Sequence, residues 1–226
     1  MIFATMIFAA MISAAMITAT MTSATMISGV AVGALGPESL RRAYTVLLAL
    51  VVVERGVELV LSKRNAARVR ARGGVELGAG HYPTMVALHS LFLVSCWAES
   101  TLLERAIRPA LFVAMVIVLA LSMSLRYWAI ASLGDRWSTR VLVEPGVAPV
   151  RGGPYRILDH PNYLAVVLEI AALPLAGGAW ITAVVFSALN VTLLRVRIRV
   201  EERALAEHCG WIRERGPGAR AQESGR

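Results

Sequence analysis

Charge is scarce in this sequence. Asp, Glu, Lys and Arg make up only 17% of its 226 residues, and they sit in clumps between long uncharged stretches. A soluble domain of this size carries roughly 25% charged residues over its surface, so an ordinary water-facing shell is excluded. Cysteine is almost absent. Cys96 and Cys209 stand far apart, without metal-ligand or redox spacing, and both read as free thiols. The four histidines, His81, His89, His160 and His208, show no paired ligand spacing, so no metal is expected. A strand–turn–helix Gly-x-Gly-x-x-Gly fingerprint is also missing, which removes the commonest dinucleotide signature.

What is present is apolar. Hydrophobic residues reach 57%, and the mean hydropathy is +0.62. Uncharged runs bounded by polar clumps are the pattern of bilayer-spanning helices, each needing about 20 apolar residues. The net charge of +8 then follows from basic cytoplasmic loops, and no nucleic-acid partner is expected.

The first 28 residues repeat Met-Ile-Phe-Ala-Thr and its variants with a period of five. A step of five turns a helix by about 140°, so the methionines spray around the axis and build no face. No basic n-region precedes the stretch, which argues against a signal peptide. The favoured reading is a translated tandem repeat upstream of the working start, with Met26 as one candidate; the alternative is an extra membrane helix. The expected organisation is a low-complexity repeat over 1–36, a membrane domain over 37–208 and a disordered tail over 209–226.

Five spans are expected. The first covers roughly Tyr44 to Leu61 and contains Glu54, Arg55 and Glu58. Each mid-helix charge costs about 2.5–3.5 kcal/mol against about 0.3–0.6 returned per Leu, Ile or Val. This helix must therefore turn its charges toward protein or polar solvent. Arg55 and Glu58, three apart, can pair along one face, or the charges line a polar cavity. A dense basic loop follows, Lys63 to Arg72. Span two runs from Tyr82 to Ala98 with His89 inside, and span three from Pro109 to Ile130 with Arg126 in its last turns. A Gly- and Pro-rich connection, Ser132 to Asn162, leads to an apolar stretch, Tyr163 to Leu194. Pro174 and Gly177-Gly178 break it into a helical hairpin, spans four and five. The fold class is thus all-α, a polytopic transmembrane bundle of about five core helices. Eighteen Lys and Arg residues fall on the side of the 63–72 loop, the 132–162 connection and the C-terminus, against four (Arg41, Arg42, Arg105, Arg108) on the other. By that asymmetry the first side is cytoplasmic.

Two chemistry-bearing segments share that side. Gly153-Pro154-Tyr155-Arg156-Ile157-Leu158-Asp159-His160-Pro161-Asn162-Tyr163 runs into span four, and Arg197-Ile198-Arg199-Val200-Glu201-Glu202-Arg203-Ala204-Leu205 leaves span five. A hairpin brings them together, and a continued helix stacks Arg197 and Glu201 one turn apart. Singly, each block has a plain reading: His160 capping span four, or Glu201 and Glu202 in a solvated helix laced by ion pairs.

In this order and spacing, the blocks resemble the isoprenylcysteine carboxyl methyltransferase family. Upstream, Glu54-Arg55, Glu58-Leu59, Arg64-Asn65, Gly73-Gly74-Val75-Glu76, His81-Tyr82-Pro83, His89 and Glu99 are similar to bacterial members of that superfamily, some of which methylate phenolic or pyrone lipids. The resemblance runs from about Arg42 to Leu205. It implies S-adenosylmethionine as cofactor, held through the backbone of Val147, Ala148, Pro149 and Val150. Tyr155, His160, Asn162 and Tyr163 would surround it, with Glu201 and Glu202 toward its amino acid end. Arg197 would be the catalytic residue, meeting the acceptor oxygen. The chemistry suits these roles: a sulfonium with an α-ammonium wants carboxylate and aromatic faces, and an attacking oxyanion wants a guanidinium. Pro154 after Gly153, and Asn162, follow the bacterial style, which leaves the acceptor open between a lipophilic small molecule and a prenylated chain. The expected setting is a bacterial cytoplasmic membrane with the site and C-terminus in the cytoplasm. The rivals are an NADPH-dependent membrane reductase of the sterol type and a non-enzymatic transporter; no internal repeat supports the latter.

Overall fold

The computed structural model describes residues 36–209; the N-terminal repeat and the tail beyond 209 lie outside the described residues. Five α-helices form the body: α1 (Pro37–Ala71), α2 (Tyr82–Leu102), α3 (Pro109–Leu133), α4 (Pro161–Ala176) and α5 (Trp180–Cys209). Proline sits in the first turn of α1 to α4, where a missing N–H costs nothing and the fixed φ favours the helix. The start of α5 is held differently. Glu99 of α2 accepts hydrogen bonds from the Ile181 and Thr182 amides at 3.1 and 2.7 Å and from the Thr182 hydroxyl at 2.7 Å. A carboxylate there satisfies orphan donors and faces the positive helix end.

The protein is an integral membrane helical bundle. Among the described residues, Ala79–Leu102, Pro109–Arg136 and Trp180–Cys209 are long and apolar enough to cross a membrane. The other two expected spans differ from these. α1 carries Glu54, Arg55 and Glu58 at mid-length, and α4 has only 16 residues, about 24 Å against a hydrocarbon layer of about 30 Å. α1 turns its charged face to neighbours while Val46, Val52, Val53 and Val60 stay exposed. α4 is buried along most of its length, with Ala165, Ile170, Ala172, Leu173 and Ala176 at 0–1% exposure. Small residues let α3 approach closely, and Ser122 Oγ donates to the Ala165 carbonyl at 2.7 Å. The α4–α5 hairpin turns where the sequence predicts it. Gly178 has φ +72, and a Cβ on Gly177 would stand 2.2 Å from the Tyr44 ring, so neither position takes a side chain freely.

Two expectations are corrected. The basic segment 63–72 is not a loop: α1 stays helical through Ala71. Ala, Arg and Lys are strong helix formers, and Asn65 pins this extension by donating to the carbonyls of Gly134 (3.2 Å) and Trp137 (2.9 Å). The fold also adds a small antiparallel ribbon, β1 (Val75–Leu77) with β2 (Val141–Val143), in register Val75↔Val143 and Leu77↔Val141. Val141 and Val143 pack on Ala204, Val200 and Leu205 of α5. The ribbon therefore ties the 72–81 and 134–160 connections to the end of α5.

Inside the bundle α1, α3 and α4 bring charged side chains together. Arg126 of α3 holds Glu58 of α1 at 2.5 and 2.8 Å and reaches Glu169 of α4 at 3.5 Å. Arg55 pairs with Glu58 and Glu54, both at 2.7 Å, and with Glu169 at 3.5 Å. Tyr127 donates to Glu54 at 2.7 Å. The expected Arg55–Glu58 pair thus exists within a cluster of five charged residues and Tyr127. Across α2 and α5, Met85 touches Arg197 and Phe92 packs on Phe186, and His89 and Asn190 lie between those contacts along their helices.

Candidate active site

At the end of the bundle where α1, α3 and α5 finish and α4 begins, a cavity of about 930 Å³ opens beneath the ribbon. That is the size of pockets that hold cofactors. Its lining includes Val147, Ala148, Pro149, Val150, Tyr155, His160, Asn162, Tyr163, Arg197 and Glu201, so nearly all of the residues singled out from the sequence meet in one space. Glu202 does not line it; its carboxylate faces His160 Nε2 at 3.5 Å.

The side chains form an ordered array. Arg197, 7% exposed, donates from Nε to the Tyr163 hydroxyl at 2.9 Å. Tyr163 in turn donates to Glu201. The guanidinium and the carboxylate, one turn apart on α5, are therefore joined through a phenol of α4 rather than directly. His160 stacks on the Tyr163 ring, with centroids 5.3 Å apart and planes at 25°. It occupies the N-cap position of α4, where its carbonyl accepts from the Tyr163 and Leu164 amides at 3.1 and 3.2 Å, but its side chain makes no cap. The Arg197 guanidinium also touches the Met85 sulfur, which fixes it from the α2 side.

The opposite wall is the segment 144–150. Arg136 donates to the Ala148 carbonyl at 3.0 Å, and the Gly146 amide donates to the His208 carbonyl at 2.9 Å. Gly-Pro-Tyr forms a short 3-10 turn, 153–156, beside the end of α3. Gly153 adopts φ +58, and a Cβ there would meet Ser132 Oγ at 2.1 Å; this is why glycine opens the block. Burial, and then the Glu201 charge, push the Tyr155 phenol above its ordinary range, so it stays protonated.

The ribbon above is clamped by charge. Glu76 accepts from Arg70 and Arg140, and Arg140 lies over the Tyr82 ring at 4.1 Å. Arg72 grips Glu144 with Nε at 3.1 and 3.2 Å and Nη2 at 2.6 Å. Burial would raise the Glu76 carboxyl, but the two guanidiniums outweigh it and hold the group below the usual carboxylate range.

Sequence reasoning missed Trp137, Arg136 and Arg140 as wall residues and Asn65 as the anchor beneath them. Only the isolated Asn within the basic run hinted at the last. Three buried polar atoms of wall residues have no hydrogen-bond partner: Asn162 Oδ1, an acceptor, Trp137 Nε1, a donor, and His160 Nε2, which only faces Glu202 at 3.5 Å. Buried atoms of that kind are expected where a ligand supplies the other half of the bond.

Residues 113–207 match the model of the isoprenylcysteine carboxyl methyltransferase (ICMT) family, a segment enclosing every residue of the array. The uncharacterized protein YpbQ of Bacillus subtilis is 40% identical over 166 residues, 73% of this chain and 98% of that protein. An uncharacterized protein of Haemophilus influenzae is 22% identical over 162 residues, 71% of this chain and 94% of its own. No solved structure matches the chain.

Proposed function

Because the chain belongs to the isoprenylcysteine carboxyl methyltransferase family, we propose that this membrane methyltransferase uses S-adenosylmethionine to methylate an oxygen of a lipophilic acceptor. The observation that carries the reading is the Arg197–Tyr163–Glu201 array on the wall of the cavity.

The wall suits the cofactor. Glu201 presents a carboxylate toward an α-ammonium, and Tyr155, His160 and Tyr163 supply aromatic surface toward a sulfonium and an adenine. Asn162 Oδ1 and Trp137 Nε1, lacking partners, offer one acceptor and one donor, and the backbone of Val147–Val150 offers more. When bound, the cofactor supplies an electrophilic methyl group on a positive sulfur. Arg197 does the protein's share at the acceptor: it holds a negative oxygen in line, and Tyr163 and Met85 keep it from swinging away. Methyl transfer needs alignment and charge control, not a protein nucleophile.

The lysine and arginine asymmetry supports a bacterial cytoplasmic membrane with this end in the cytoplasm. A site at the membrane surface, with Arg197 reached from the side of α2, favours an acceptor that arrives laterally from the lipid. Transfer of labelled methyl from S-adenosylmethionine into lipid extracts tests the reading, using protein in detergent beside Glu201→Ala and Arg197→Ala. Label in the wild type and its loss in both variants is the expected result. A folded wild type that neither binds S-adenosylmethionine nor labels any lipid overturns it.

A further inference from the structure

The outer flank of α3 continues beyond the helix. Ile117, Leu121 and Trp128 are 42, 65 and 50% exposed and follow one another at steps of four and seven residues, so they share one face. Ser132, one turn past Trp128, extends that face, and the Gly153–Arg156 turn lies across it. A Cβ on Gly153 would stand 2.1 Å from Ser132 Oγ and 3.1 Å from Trp128 Nε1. Helix length sets the level. Trp128 follows Arg108, the N-cap of α3, by 20 residues, which is about 30 Å, the thickness of the hydrocarbon layer. With Arg108 kept at one membrane surface, Trp128 reaches the other, where indoles collect.

Just past the turn stands Ile157. It is 80% exposed, more than any other large apolar side chain among the described residues. It is also firmly held: the Ile157 and Leu158 amides both donate to the Pro154 carbonyl, at 3.1 and 2.9 Å. Pro154 does the packing of this turn, fully buried, so Ile157 contributes little to the fold from where it is. Arg151 before the turn and Arg156 at its end are exposed as well, and Asp159 is the single carboxylate of the segment 151–159. An apolar side chain beside two guanidiniums, on a lipid-facing flank at the level of Trp128, matches the boundary between acyl chains and acidic headgroups.

We propose that the segment 151–158 is an anchor for an acidic phospholipid. Ile157 enters the leaflet beside Trp128, and Arg151 and Arg156 meet the headgroup phosphate, whose oxygens suit the guanidinium fork. Val147, Val150 and Tyr155, on the same stretch of chain, line the cavity, so the lipid holds one wall of the cavity from outside.

The test places a nitroxide at position 157, as Ile157→Cys in Cys209→Ser protein, in nanodiscs of phosphatidylcholine with increasing phosphatidylglycerol. Cys96 is buried, and the Cys209→Ser parent is expected to take up no label. The nitroxide is expected to meet oxygen, which concentrates in lipid, and to become shielded from a water-soluble nickel chelate as phosphatidylglycerol is added. Arg156→Gln is expected to raise the phosphatidylglycerol fraction for half-maximal shielding about five-fold, the share one basic residue contributes at an acidic surface. In unlabelled protein, which keeps Ile157, amide exchange of residues 155–158 should slow with phosphatidylglycerol, and in Arg151→Gln with Arg156→Gln it should not. Circular dichroism reports the helix content of each variant. Three outcomes overturn the proposal. One is equal nickel accessibility with and without phosphatidylglycerol. Another is shielding from oxygen and nickel alike, as beneath a second copy of the chain. The third is an undiminished response to phosphatidylglycerol in Arg151→Gln with Arg156→Gln.

Discussion

Arg126 meets Glu58 with two parallel hydrogen bonds, 2.5 Å from Nε and 2.8 Å from Nη2, between helices α3 and α1. Both residues are at most 5% exposed. Each is the main reason the other can be buried, because neither charge has water to turn to.

Arg126→Met is accordingly expected to destabilise the bundle by about 3–5 kcal/mol, the cost of stranding a buried partner. Replacing Glu58 as well, in Arg126→Met with Glu58→Leu, recovers much of the loss. Reversible unfolding in mixed micelles measures both, and additive losses would contradict the pairing.

Tyr163→Phe removes the hydroxyl that joins Arg197 to Glu201. Hydrogen bonds to charged groups contribute about 1.5–3 kcal/mol. The affinity for S-adenosylmethionine is therefore expected to fall by about ten- to a hundred-fold. Titration calorimetry on the detergent-solubilised protein decides it.

Gly153→Ala forces a side chain into the left-handed region, at about 1–2 kcal/mol, and into contact with Ser132 Oγ. Ser132→Ala in the same chain relieves the contact but leaves the backbone cost. A double variant as stable as wild type would show that φ at this position is not constrained.

Acid should loosen the ribbon. Glu76 is held below the usual carboxylate range in the folded protein. A carboxyl with a depressed folded pKa stabilises above its unfolded value, about 4.3, and loses that contribution as pH falls through the folded value. Amide exchange of residues 75–77 and 141–143 is expected to speed up as pH drops below about 4.3, after correction for intrinsic rates. Glu76→Gln should already exchange fast at pH 6 and show no such step.

The helices of the bundle were legible because apolar runs and prolines mark them independently of tertiary contacts. The α4–α5 hairpin was legible from Pro174 and Gly177-Gly178. The site was legible as two blocks that a hairpin must bring together, which is why Arg197, Tyr163 and Glu201 meet. What the sequence concealed depends on partners distant in the chain. Lys63 to Arg72 reads as a loop until Asn65 finds the Gly134 and Trp137 carbonyls. Three-residue strands such as Val75–Leu77 carry too little periodicity to be read before their partner is known. Arg126 looked like a residue at a span's cytoplasmic end, and only the packing of α3 beside α1 and α4 makes it the hub of the cluster.

That hub bears on how the protein is made. Glu58 leaves the ribosome 68 residues before Arg126, and Glu169 follows Arg126 by 43 more. During that interval the two acidic groups in the middle of α1 have only Arg55 as counter-charge. Integration of α1 must wait for α3 and settle only with α4, so the insertion machinery has to shelter the first helix until the later ones arrive. Membrane integration and folding of α1 are then expected to be coupled, so that a chain stalled before α3 emerges holds this helix less firmly in the bilayer than the full chain does.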